Sequence, residues 1–119
     1  MKTIFALAIL VSCAFAVPAH ADQPKIVAVD VSSGGNAFAV TLLHPDTGWD
    51  HYADAWEILS PDGQQIGIRE LAHPHETEQP FTRTLDGLFI PLALDHVLIR
   101  ARCSVDGWTE TIRVDLPGR

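Results

Sequence analysis

The segment Val97-Leu98-Ile99-Arg100-Ala101-Arg102-Cys103-Ser104-Val105, followed by Asp106-Gly107 and then Thr109–Leu116, decides the fold class. Val97, Ile99, Ala101, Cys103 and Val105 share one parity, and Arg100 and Arg102 the other, so the stretch predicts a half-buried strand with an apolar inner face. Asp-Gly after it is a strong hairpin signal, because glycine accepts the positive φ of a tight turn. Thr109–Leu116 then closes with Ile112, Val114 and Leu116 on one face.

The same two-residue period runs upstream. Lys25–Ser32 alternates around Val27, Val29 and Val31. Ala37–Leu43 places Phe38, Val40 and Leu42 together. Ala53–Leu59 carries Trp56 and Ile58, Gln65–Leu71 carries Ile66 and Ile68, and Phe81–Leu85 is a shorter strand. Ser33-Gly34-Gly35-Asn36 and Ser60-Pro61-Asp62-Gly63 supply turns between them. No stretch has the 3.6-residue period of an amphipathic helix. About seven short strands predict an all-β antiparallel sandwich of immunoglobulin or fibronectin-III type, with an inward tryptophan, Trp56, on its third strand.

Met1–Ala21 reads as an export signal and residues 22–119 as one domain. Lys2 precedes an apolar run, Ile4–Val17, that is too short to span a membrane, and Ala19-His20-Ala21 suits cleavage. Leu10-Val11-Ser12-Cys13 offers a second reading, a lipoprotein box that would leave a lipidated Cys13. Cleavage after Ala21 is the reading adopted, and it directs the chain to the periplasm or beyond. Removing Lys2 with the leader changes the net charge from −7 to −8, since 7 basic side chains then face 15 acidic ones. That balance excludes the Lys/Arg footprint of nucleic-acid binding. One cysteine remains, Cys103, so there is no internal disulfide and a monomer is expected.

In this topology the connections Leu43–Tyr52, Ala72–Pro80 and Asp106-Gly107 lie at one end of the sandwich. They hold four of the five mature histidines. The first reads His44-Pro45-Asp46-Thr47-Gly48-Trp49-Asp50-His51-Tyr52-Ala53-Asp54, and the second His73-Pro74-His75-Glu76-Thr77-Glu78-Gln79-Pro80-Phe81. Imidazole and carboxylate sets suit Zn²⁺ or Cu²⁺. The expected ligands are His44, His51, His73 and His75, with Asp46, Asp50, Asp54 and Glu76 as supporting or alternative ligands. The competing reading makes these loops a structural polar cluster. Trp49, Tyr52, Phe81 and Trp108 lie at or beside the same end, where aromatics either anchor a ligand, such as an envelope protein, or plug the core. His96, at the other end, reads as a structural corner residue.

The string from His44 to Trp56, with His73 to Arg83 (HPHETEQPFTR), resembles segments of small exported proteobacterial proteins. The resemblance covers most of the mature chain. It implies an exported bacterial domain and supplies no catalytic role.

Other chemistries fit less well. The final hairpin offers Cys103 but no His or Met, which argues against a blue-copper centre. There is no G-x-S-x-G elbow. Cys103 has inward parity and reads as a small buried hydrophobe rather than a nucleophile. No catalytic residue is assigned, and the chain is read as a binding protein rather than an enzyme.

Overall fold

The computed structural model describes residues 23–119; the expected leader, with Cys13, lies outside them. Among the described residues eight strands form: β1 Lys25–Val31, β2 Phe38–Leu43, β3 Ala53–Leu59, β4 Gln65–Glu70, β5 Phe81–Leu85, β6 His96–Cys103, β7 Gly107–Trp108 and β8 Ile112–Asp115. One sheet has the order β1-β2-β5. The other runs β4-β3-β6-β7, with β8 also paired to β6, and every pairing is antiparallel. This is the expected antiparallel β-sandwich.

The core is the meeting of the two inner faces. Phe38, Val40 and Leu42 of β2 face Trp56 and Ile58 of β3 and Val97, Ile99 and Ala101 of β6, all fully buried. Each such branched or aromatic side chain stabilises the fold by about 1.5–3 kcal/mol. On β3, Glu57 is also buried. Arg100 pairs with it at 2.6 Å and Gln65 donates to it at 2.7 Å, so its charge is compensated.

Three departures from strict alternation matter. The β1–β2 register shifts between Ile26 and Ala28, so Val29 and Val31 face the core while Val27 is left exposed. The expected last strand, Thr109–Leu116, is shortened to β8, and a separate two-residue strand, β7, pairs with β6 ahead of it. There the Thr109 amide bonds the Ala101 carbonyl at 2.7 Å, and the Ala101 amide donates to the Thr109 hydroxyl at 3.1 Å. Ile112 is consequently exposed rather than packed. Finally, β6 ends at Cys103, so Val105 lies in the turn, exposed, and not on the inner face.

The β6–β7 hairpin pairs Cys103 with Gly107, leaving Ser104-Val105-Asp106 as a three-residue loop. Gly107, the first residue of β7 after this loop, has φ +74°, a left-handed conformation that glycine accepts without steric cost.

Candidate metal centre

The loop between β2 and β3 folds back on itself. The Thr47 amide donates to the His51 carbonyl at 3.0 Å and the His51 amide to the Gly48 carbonyl at 3.2 Å. Gly48 has φ +137°, a conformation unfavourable for residues with a Cβ. This tight return sets His51 over His44, with ring centroids 4.8 Å apart in an edge-to-face arrangement. The loop is tied to the last hairpin through Ser104. Its amide donates to the Tyr52 carbonyl at 2.9 Å, and its hydroxyl accepts the Tyr52 amide at 3.1 Å.

Asp46 organises the inner part. It is buried, and its Oδ1 lies 2.5 Å from His44 Nδ1 while also accepting the Ala53 amide at 3.0 Å. Its Oδ2 accepts the His75 amide at 2.7 Å. One carboxylate therefore joins both histidine-bearing loops to the start of β3. Gln79 adds a second tie, accepting the His44 amide at 3.0 Å and donating to the His75 carbonyl at 2.9 Å.

With Nδ1 held by Asp46, Nε2 is the nitrogen His44 has left to offer. It is buried and has no hydrogen-bond partner among the described residues. His44, His51 and Cys103 each present one donor atom within 4.8 Å of the others. Cys103 Sγ is 3.6 Å from His51 Nε2 and 3.5 Å from Asp106 Oδ2, and Asp106 Oδ2 is 3.7 Å from His51 Nε2. The Asp106 amide donates to Sγ at 3.2 Å. Burial pushes the Cys103 thiol above its ordinary range, so without a cation beside it the sulfur is a thiol.

The four expected histidine ligands divide into two pairs. His44 and His51 come together. His75 stacks on Phe81, with centroids 3.9 Å apart, and its Nε2 accepts from the Arg83 guanidinium at 2.8 Å. That nitrogen is engaged, while the buried Nδ1 of His75 has no hydrogen-bond partner among the described residues and lies 3.9 Å from Asp46 Oδ2. The pKa of His75 is lowered, first by burial and then by the Arg83 charge and by His73. His73 is exposed and turns its Nδ1 to the Pro74 carbonyl at 3.0 Å.

Among the expected supporting carboxylates only Asp46 touches a ligand histidine. Asp54 pairs with Arg102 at 2.8 Å. Asp50 is exposed and engages the hairpin through its backbone, its carbonyl accepting the Ser104 hydroxyl at 3.4 Å; Glu76 is exposed, with its Oε1 beside Gly48. Of the aromatics, Phe81 belongs to the core. Trp108 is flanked by the Arg100 and Arg102 guanidiniums at 4.7 and 4.9 Å, beside a groove of about 640 Å³ that Pro24, Ile26 and Ile112 also line. Trp49 is 67% exposed and meets Tyr52 edge-on at 5.6 Å. His96 pairs with Asp95 at 2.6 Å, at the start of β6.

Cys103 is buried, as its inward parity predicts, but parity alone does not reveal what its sulfur faces. It is 1% exposed, as its parity implies, yet its sulfur faces an imidazole and a carboxylate. The last inward position of a strand, just before the hairpin, faces the loop end of the sandwich instead of the middle of the core.

A protein of Halomicrobium mukohataei named "Putative lipoprotein" is 40% identical to this chain over 79 residues, covering 65% of this chain and 38% of that protein. The chain thus spans well under half the length of that relative. No family model and no solved structure matches the chain.

Proposed function

We propose that this is a small exported protein that binds one divalent transition metal, zinc or copper, at the loop end of its sandwich. The observation that carries the reading is the buried Nε2 of His44, without a hydrogen-bond partner among the described residues, beside His51 and Cys103. A buried polar nitrogen without a partner is costly, and a bound cation removes that cost. Asp46 on Nδ1 supports it further, since a carboxylate behind a ligating imidazole fixes the tautomer and raises its basicity. Isothermal titration of the untagged protein with Zn²⁺ and with Cu²⁺ tests it. One equivalent is expected to bind to the parent and none to His44→Ala or His51→Ala; no binding to the parent would defeat the reading.

Export is supported by the leader-like Met1–Ala21 and by the name of the relative. The mature chain is expected to begin at Asp22. Mass spectrometry of protein recovered from the cell envelope checks this, and a diacylated Cys13 would replace it with a lipoprotein. No residue is assigned a catalytic role. A second reading, an envelope interaction module, draws on the exposure of Trp49 and Val105 at the same end. In that case Asp46, which satisfies three partners without a metal, makes the polar cluster purely structural.

A further inference from the structure

We infer that Asp106 is a fourth ligand of this centre and that the metal it selects is zinc. The inference rests on the metal-binding reading above and deepens it.

Cys103 Sγ, His51 Nε2 and Asp106 Oδ2 form a triangle with sides of 3.5, 3.6 and 3.7 Å. Bonds of about 2.0–2.3 Å directed to the corners of a tetrahedron place neighbouring donors about 3.3–3.7 Å apart. The triangle therefore has the dimensions of one face of a tetrahedral zinc site. Hydrogen bonding does not explain it fully, because the imidazole–carboxylate side is longer than a hydrogen bond. The fourth corner falls to His44 Nε2, the nitrogen left free by Asp46. His44 is the donor that must close in, since its spacing to His51 and Cys103, up to 4.8 Å, is wider than a ligand–ligand contact.

The hairpin explains how two anionic donors three residues apart share a side. The positive φ of Gly107 turns the chain, and the Asp106 amide bonds back to Cys103 Sγ. That amide remains a donor to the sulfur once it is a thiolate.

Charge favours a divalent ion on the same residues, and the donor types favour zinc among them. A thiolate and a carboxylate neutralise a divalent cation, which lowers the cost of holding it at a largely buried site. Cu(I) prefers soft donors, and a carboxylate is a hard one. Blue-copper centres place a weak axial Met, Gln or carbonyl where this chain has a carboxylate. His51 and Asp106 keep part of their side chains in solvent, which leaves an entry path.

Zinc competition against a chromophoric chelator, run on the parent, Asp106→Ala, Asp106→Asn and His44→Ala, tests the assignment. Both Asp106 variants are expected to bind zinc at least about 10-fold more weakly than the parent, the loss already seen for outer-shell partners. Cobalt-loaded parent protein is expected to show the intense visible absorption of a tetrahedral site with a thiolate band, reduced in Asp106→Ala. Metal-free melting curves of the variants control for folding. Parent-like zinc affinity in both Asp106 variants, with binding abolished in His44→Ala, would overturn the role of Asp106 and leave a three-donor site standing. A parent that binds copper but not zinc would overturn the metal assigned. A parent that binds neither would defeat the underlying reading itself.

Discussion

Asp46 Oδ1 sits 2.5 Å from His44 Nδ1, with both side chains fully buried. The pair is the hinge between fold and site. Its carboxylate closes the loop ends onto β3, and its imidazole turns the remaining nitrogen toward His51 and Cys103. Replacing Asp46 with Ala strands the Ala53 and His75 amides as well as the His44 ring. Each buried donor left unpaired costs about 1–3 kcal/mol, so a total loss of about 3–5 kcal/mol is expected. Urea unfolding of the metal-free variant measures it. A loss below about 1 kcal/mol would show that the loops do not depend on this carboxylate.

His75 gives the metal-free domain a specific pH dependence. Burial, then Arg83 and His73, lowers its pKa in the folded state. The unfolded chain takes up this proton near the ordinary value of about 6.5 while the folded chain does not. Stability from this residue is thus present above about pH 6.5 and falls as pH drops toward the lowered folded value. The parent is expected to lose more stability between about pH 7 and 5 than His75→Gln, measured by denaturant midpoints. Equal slopes in the two proteins would contradict the assignment.

Cys103 is expected to be slow to alkylate. Burial shields it and raises its pKa, so little thiolate is available. Iodoacetamide labelling of the metal-free native protein is expected to run at least about 100-fold slower than in urea. Comparable rates would mean that the hairpin opens readily.

The sandwich was legible because its strands alternate cleanly. Val97 to Ala101 on β6 and Phe38 to Leu42 on β2 declare their inner faces by parity alone. The bulge at Val27 and the break between β7 and β8 around Thr109 were not legible, since one extra residue changes parity without altering composition. At the site, the gathering of the two loops and the final hairpin followed from strand order, and His44, His51 and Asp46 stood out by residue type. The division of the histidines did not. It depends on Arg83, two residues into β5, reaching His75, and on Asp46 choosing His44. Cys103 was classed by its inward parity, and only the hairpin that follows decides that its sulfur meets His51 and Asp106. An Asp-Gly hairpin placed directly after an inward cysteine, at an end already rich in histidine, was the available signal.

Thermal unfolding of the untagged domain with and without zinc tests the central claim most directly. Free metal at 100 times its dissociation constant stabilises a one-site protein by about 2.7 kcal/mol. For a domain of this size that raises Tm by about 10 °C or more. The parent is expected to show this rise, and His44→Ala and Cys103→Ser are expected to show none. An unchanged parent Tm at saturating zinc and copper would contradict the account.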